Sequence, residues 1–412
     1  MELFIKKKSC CGCAACANIC PKSAVSMQKD EIGQYYPRID NKKCINCGAC
    51  KLVCDFQKNE NQFGHYVLAS YGAASKNKSL IKKSASGGLF AEFAKCFIES
   101  GGVVYGAALL HEDVFYVKHV RIEDITQLSR IQGSKYAMSD IGDTYQRVEM
   151  DLINGVKVLF SGTPCQAAAL KSFLKKDYNN LFVVDIVCHG VSTLQVFQDY
   201  INFIEKKKKI EITDFVFRDK TFGWGLDVRY EYLRHGQKKT QRLYYKLSSF
   251  YNYYLLAAIC RENCYYCKYA CSSRVGDITL GDFWGVERNQ PKALKENGGV
   301  LDEKNGVSFC LVNTSHGSEL FDKILSEINY INSDFETISK QNDNLLRATS
   351  MPSCRKKIME LYQKEGYKAV ERLYWKEVGI KKIYYLILAK APRNLKKRIK
   401  WLLETVNNRF LR

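Results

Sequence analysis

The sequence predicts an α+β protein: a small cysteine-rich module at the N-terminus, a mixed α/β body, and a helical, basic C-terminal region. Three observations predict it. Two C-x2-C-x2-C-x3-C runs stand at Cys10–Cys20 and Cys44–Cys54. From Tyr66 onward, short apolar runs of strand length alternate with stretches whose apolar residues recur at helical spacing. After Pro392, Leu395, Ile399, Leu402, Val406 and Phe410 fall on one helical face, flanked by Lys396, Lys397, Arg398 and Lys400.

The 412 residues leave room for two or three domains with a sizeable core, and 46% hydrophobic content excludes a disordered chain. A formal charge of +20 favours acidic partners: an electron carrier, phosphorylated substrates, nucleic acid or an anionic membrane face. No recognised nucleic-acid module accompanies the basic residues, so nucleic acid is not expected. The opening "MELFIKKKSCCGC" holds no apolar run of signal-peptide length. The longest apolar candidate, "IYYLILA" from Ile383, is far short of the ~20 residues that span a bilayer. The expected location is therefore cytoplasmic, with the tail a candidate for peripheral contact at the inner membrane face. In that compartment eighteen cysteines read as metal or redox chemistry rather than disulfides.

Element by element, the first module comes from the cysteine spacing. In paired runs of this type three thiolates on a tight loop face one four-iron cluster and the fourth reaches the other. Cys10, Cys13, Cys16 and Cys54 then serve one cluster, and Cys44, Cys47, Cys50 and Cys20 the second. Zinc sites usually pair cysteines at longer separation, so a bacterial-type two-cluster ferredoxin module is expected over residues 1–60. Cys11 belongs to neither set and is expected to be inert. Asp55 stands where the first run has Pro21, a change of turn geometry. "SAVSMQKDEIGQYYPRID" alternates around a glycine turn and suits a hairpin, and "DFQKNENQFGH" reads as the linker to the next domain.

In the body, "GLFAEFAKCFIESG" is expected to be a helix stopped at Gly101, and "GGVVYGAALL" a buried strand. "VKVLFSGTPCQAAALKSFL" reads as strand, turn and helix, "NLFVVDIVCHGVS" as strand and loop. "ITDFVFRDK" and "LDVRYEYL" alternate as antiparallel strands would. Three turns combine glycine with hydroxyl or basic groups: Ser86, Gly87 and Gly88; Gly133, Ser134, Lys135 and Tyr136; Gly162 and Thr163. Backbone N–H groups, hydroxyls and a cation there suit a flavin pyrophosphate, although helix capping and tight turns use the same residues more often. No G-x-G-x-x-G fingerprint is present, so a Rossmann site is not expected.

"SASGG", "GSKY", "LFSGTPCQAAAL", "VDIVCHG", "FRDKTFGW", "ENCYYCKYA" and "RVGDITLGDFWG" occur in an order that resembles the coenzyme F-420 hydrogenase/dehydrogenase beta-subunit family. The resemblance runs from the first module to about residue 315, and "GDFWG" is most similar to a bacterial branch associated with surface-polysaccharide synthesis. It implies FAD and iron–sulfur clusters in a core over residues 66–315, leaving 316–412 as the helical basic region. It also covers Cys165, Cys188, Cys264 and Cys267, which are thereby implied as ligands of a third cluster, with Cys260 and Cys271 in reserve as a local C-x3-C-x2-C-x3-C set. His189 is the candidate proton donor, and structural bonding to a backbone carbonyl is an equal use of such a residue. The expected function is a flavoprotein oxidoreductase passing electrons from a ferredoxin-like donor through 4Fe-4S clusters to FAD and a small organic substrate. The alternatives are a non-catalytic electron-transfer subunit and a deazaflavin-coenzyme oxidoreductase.

Overall fold

The computed structural model describes residues 3–391; the amphipathic stretch expected after Pro392 lies outside the described residues. The α+β class is observed, with the cysteine-rich module packed against a three-layer body. In the module, β1 (Val25–Lys29) and β2 (Tyr35–Ile39) form the expected antiparallel hairpin. Asp30 shapes its turn, accepting hydrogen bonds from the backbone N–H groups of Ile32 and Gln34. Each cysteine run forms a loop closed by one helical turn, Ala15–Asn18 and Ala49–Leu52.

The body is built on an eight-stranded sheet. Its strands are β3 (Ala69–Ser75), β4 (Val103–His111), β5 (Phe115–Ile122), β6 (Val158–Gly162), β7 (Leu181–Ile186), β11 (Ile278–Asp282), β12 (Ser308–Val312) and β13 (Ile328–Ser333). The order is β13-β3-β12-β11-β7-β6-β4-β5, with parallel pairing from β11 through β7 and β6 to β4 and antiparallel strands on both flanks. The central strands read as continuous apolar runs because helices cover both faces. Helix α1 (Leu89–Glu99) packs Leu89, Phe93 and Phe97 against Leu159 and Val184. Helix α2 (Pro164–Leu174) packs Ala167, Leu170 and Phe173 against Val158, Phe160 and Val183 on the opposite face. Adjacent residues of β6 thus serve different layers, as the two-residue period of a strand requires.

A second, aromatic core holds the rest. Helix α3 (Leu194–Lys208) packs on a three-stranded antiparallel sheet of β8 (Glu211–Val216), β9 (Val228–Arg234) and β10 (Gln237–Leu243). Helices α4 (Ser249–Leu255), α5 (Arg355–Glu365) and α6 (Tyr367–Val378) close it, bringing Phe197, Phe215, Phe250, Tyr251, Ile358 and Tyr367 together. Helix α7 (Lys381–Lys390) follows. No helix among the described residues is long and apolar enough to cross a membrane. The sheet continues past residue 315, the expected core boundary, because β13 pairs with β3. Asn329, Asn332 and Ser333 interrupt its apolar residues on both faces, which hides an edge strand from an apolar-pattern reading.

The stretch read as a linker is pinned rather than free. The Asp55 carboxylate is buried and accepts a hydrogen bond from Tyr269 Oη at 2.7 Å and an ion pair from Lys268 Nζ at 3.1 Å. His65 and Arg274 exchange both backbone hydrogen bonds. Arg274 is itself buried, donating to the carbonyls of Tyr269 and Cys271 and pairing with Asp185 at 3.4 Å. Asp185 also accepts from the N–H groups of Val275 and Gly276. Removing one partner of such a fully buried pair strands a charge in a low-dielectric interior. Asp185→Ala is therefore expected to destabilise the protein by about 3–5 kcal/mol, read as a lowered midpoint in denaturant unfolding followed by far-UV circular dichroism.

Candidate functional site

The cysteines gather at three places. One small cavity is lined by Cys20, Cys44, Cys47 and Cys50. A second small cavity is lined by Cys10, Cys13, Cys16 and Cys54, together with Cys11 and Cys50. Among the described residues no three Cys, His, Asp or Glu side chains close on a point that would hold one metal ion. Thiols ringing a cavity suit a polynuclear cluster better than a single zinc.

The third gathering lies beyond the C-terminal ends of β6 and β7, the edge where open parallel sheets place their ligands. Cys165 opens α2, Cys188 follows β7, and Cys264 and Cys267 come from the 3-10 turn Glu262–Tyr266 and its end. The charge on Cys188 would be felt by Cys264, Cys165 and Cys267, so the four thiols share one neighbourhood. Burial pushes the thiols of Cys264 and Cys267 up to about 11 and about 12. Such thiols ionise at neutral pH only against a bound cation, which coordinated iron provides. Of the reserve residues, Cys260 is fully buried beside Cys264, and the Cys271 thiol donates to the Ser273 carbonyl at 3.3 Å. Gly190 has φ 128°, and a Cβ there would come within 3.1 Å of Cys260 Sγ and 3.2 Å of Cys264 Cβ. Glycine is what lets the Cys188 loop close on that turn.

Two residues that sequence reasoning passed over connect these places. Cys11, expected to be inert, is buried with its thiol in hydrogen-bonding reach of both Cys13 and Cys165. Its hydrogen bond is the main cause that holds the Cys165 thiol below the usual thiol range, with Thr163 Oγ1 adding a contact at 3.1 Å. The correction has a tertiary origin: Cys165 is 154 positions away in sequence, and only folding brings it to Cys11. Arg261 is 1% exposed. It donates from Nε and Nη2 to the Cys10 carbonyl at 3.1 and 3.0 Å and lies 4.0 Å over the Tyr36 ring. Its charge reaches Cys10, Cys165 and Cys264, and it forms no ion pair with a carboxylate among the described residues. Burying a guanidinium costs several kcal/mol unless an anion offsets it. Thiolates of Cys10 on one side and of Cys165 and Cys264 on the other would supply that anion, so the residues present fit thiolate-ligated iron. Only the setting of Arg261 between Cys260 and the Cys264/Cys267 pair hinted at this in the sequence.

Of the three turns expected at a flavin, the second adjoins the first, with Gln132 Nε2 donating to Ser84 Oγ, and most of the polar groups of the first and third are already engaged. Ser86 Oγ donates to the Val307 carbonyl and the Gly87 N–H to Ser308 Oγ. A Cβ on Gly87 would come within 2.4 Å of the Ala73 carbonyl oxygen, so its smallness serves the sheet. Gly88 precedes α1 in a left-handed conformation, and Gly162 leads into Thr163, which caps α2 in a capping box with Gln166. The second turn keeps free capacity. Lys135 donates to the Gln132 carbonyl at 2.9 Å, pairs with no carboxylate among the described residues, and desolvation lowers its pKa to about 7. Gly133 and Ser134 precede it, and the Tyr136 ring stacks on Tyr254 at 4.5 Å while its hydroxyl accepts from Arg218 Nη1. Tyr254 donates to the Gly190 carbonyl and adjoins Cys188, Cys260 and Cys264. The ring of His189 lies 5.4 Å from Tyr254, and burial holds its pKa below the usual range against the opposing effect of the Leu255 backbone.

Residues 155–336 match the family model for the C-terminal part of the coenzyme F420 hydrogenase/dehydrogenase beta subunit. Over that stretch the core matches this family. Residues 9–58 match the 4Fe-4S dicluster domain. A chain of the xenon-derivatised F420-reducing [NiFe] hydrogenase complex from Methanosarcina barkeri is similar, at 15% identity. That match covers 78% of this chain and 94% of that one, with a TM-score of 0.39. No curated protein matches. The chain is thus an iron–sulfur electron-transfer protein related to the F420 hydrogenase beta subunit, with its dicluster domain docked on the family core.

The third thiol group separates its four members from the reserve pair by experiment. In anaerobically purified protein, Cys188→Ser and Cys267→Ser are expected each to lose one cluster's worth of iron and sulfide. Cys271→Ser is expected to keep the full content, as measured by iron and acid-labile sulfide assay.

Proposed function

We propose that this chain is a cytoplasmic flavin-dependent oxidoreductase in which a ferredoxin-like donor delivers electrons at the N-terminal module for reduction of a small organic group. The observation that carries the reading is the contiguity of the thiols. Cys50 lines both N-terminal cavities, Cys13 meets Cys11, and Cys11 meets Cys165 in the core. The buried Cys11 thiol bridges the module and the third thiol group, a close approach that single-electron transfer between buried centres requires. From there Tyr254 stacks on Tyr136, which carries the row to the Gly133–Tyr136 turn. In this reading Cys165, Cys188, Cys264 and Cys267 hold a third cluster.

FAD, when bound, supplies an acceptor that collects two electrons singly and delivers them as a pair. Lys135, Gly133 and Ser134 are the residues we assign to its pyrophosphate, Lys135 by charge and the other two by N–H and hydroxyl donors. Ser86, Gly87, Gly88, Gly162 and Thr163 shape the surrounding walls. His189, neutral at physiological pH, is assigned a hydrogen-bonding role beside the third thiol group. The bacterial-type "GDFWG" segment favours a substrate from surface-polysaccharide synthesis, such as a sugar or sugar nucleotide.

Three measurements test the reading. Acid extraction of the purified protein is expected to release FAD; recovery of FMN alone, or of no flavin, overturns the flavin assignment. In protein stripped of flavin, FAD affinity is expected to fall as pH rises past about 7, where free Lys135 loses its proton. Lys135→Met is expected to bind more weakly and to lose that pH dependence. For Arg261, replacing the buried cation by Met is expected to lower the midpoint potentials of the centres beside it. The size is on the order of 60 mV, equivalent to about 1.4 kcal/mol for one electron, read by electron paramagnetic resonance during redox titration.

A further inference from the structure

The outermost thiol group has a surface of its own. Cys47 is the one cysteine exposed to solvent. Around it Lys22, Lys42, Lys43 and Lys51 are all exposed, and none forms an ion pair among the described residues. Lys22 and Ile45 line the mouth of the Cys20/Cys44/Cys47/Cys50 cavity itself, and the other three lysines adjoin Cys44 and Cys50 in the chain. Across residues 38–54 the single carboxylate is Asp40, whose Oδ1 is already engaged by the Lys42 N–H at 2.9 Å. Two large apolar side chains stand out in this basic field: Ile45 is 57% and Leu52 76% exposed.

We infer that this face, centred on Cys47 and bounded by Lys22, Lys42, Lys43 and Lys51, docks an acidic one-electron carrier protein. The inference rests on the proposed function and locates its entry point. Charge complementarity selects the partner: four unpaired cations steer and orient an acidic surface, while Ile45 and Leu52 give the small apolar centre around which water is excluded. The position fixes the purpose. The other N-terminal thiol group is covered by the core, with Arg261 bonded to the Cys10 carbonyl, whereas this one opens to solvent. A carrier seated here brings its cofactor beside the exposed centre. A nucleic acid or a lipid surface would use the same charges but has no need of a redox centre beneath them.

The test uses the full-length, anaerobically purified protein and an acidic bacterial-type 2[4Fe-4S] ferredoxin as probe. Three forms are compared: the wild type, a triple reversal Lys42→Glu/Lys43→Glu/Lys51→Glu, and a reversal of a remote exposed basic pair, Lys206→Glu/Lys209→Glu. Binding of the oxidised probe is measured by titration calorimetry at low and high salt, and iron content is measured in parallel. Stopped-flow bleaching is followed with the reduced probe and with reduced methyl viologen, a small cation that needs no docking face. The triple reversal is expected to weaken binding and slow reduction by the ferredoxin about tenfold or more at low salt. It should flatten the salt dependence and leave the iron content unchanged. Reduction by methyl viologen should not slow, and the remote pair should behave as wild type. Unchanged affinity in the triple reversal, or equal weakening by the remote pair, overturns the inference. If the triple reversal loses iron, Lys51→Gln with Leu52→Ala serves instead, and unchanged affinity there overturns the inference equally. Wild-type protein lacking the N-terminal clusters would instead overturn the proposed function, a failure that the iron assay reports separately from the affinities.

Discussion

A guanidinium buried without a carboxylate partner is the constraint on which the arrangement turns. Arg261 sits between the Cys10 loop and the Cys165/Cys264 group, holding the backbone of the first and lending its charge to both. Left alone, such a charge would cost several kcal/mol, more than a marginally stable domain readily bears. Its presence makes sense only if the thiol groups on either side carry negative charge. Thiolates at the inner sites would offset the burial of Arg261, and its hydrogen bonds to the Cys10 carbonyl bind the module to the core.

The module's other attachments share that logic of polar groups satisfied across the interface. Asp55 accepts from Tyr269 and Lys268, Asn18 donates to the Gly142 carbonyl, and Ser172 donates to that of Val53. Each satisfies a buried group of the module with a group of the core, so separation would strand several at once. A ferredoxin-type module on a flexible tether would meet the core only intermittently. Here the contact between Cys11, Cys13 and Cys165 is held by the packing around it, which keeps the inner thiol groups at a fixed separation.

The body contributes position rather than chemistry. Parallel strands β6 and β7 end side by side, and the loops that leave them carry Cys165 and Cys188 to one edge. The adjacent parallel strand β11 ends at Asp282, which holds Arg218 in a two-pronged ion pair and accepts from Trp224 Nε1. Arg218 in turn reaches Tyr136 and the Ala85 carbonyl. The sheet edge thus organises the thiols on one side and the Gly133–Tyr136 turn on the other, with the Tyr136–Tyr254 stack between them.

Much of this was legible in the sequence, where local spacing carries the information. The two cysteine runs specify their loops because ligand geometry acts over a few residues, and strict apolar patterning marked β4, β6, β7, α1 and α2. The grouping of Cys165 and Cys188 with Cys264 and Cys267 came from the family resemblance, not from local spacing. What the sequence could not determine depends on pairing across distance. Nothing local distinguishes Cys11 from an inert neighbour of Cys10, or Asp55 from a turn residue, until the core brings Cys165 and Tyr269 against them. The pinned linker and the polar edge strand β13 belong to the same class. Gly87 of "SASGG" shows how a phosphate-friendly pattern also serves close backbone packing, since a Cβ there would meet the Ala73 carbonyl and the Ser308 nitrogen. Local chemistry is written in consecutive residues, whereas burial, and with it the meaning of a lone arginine or thiol, is decided only when distant segments meet.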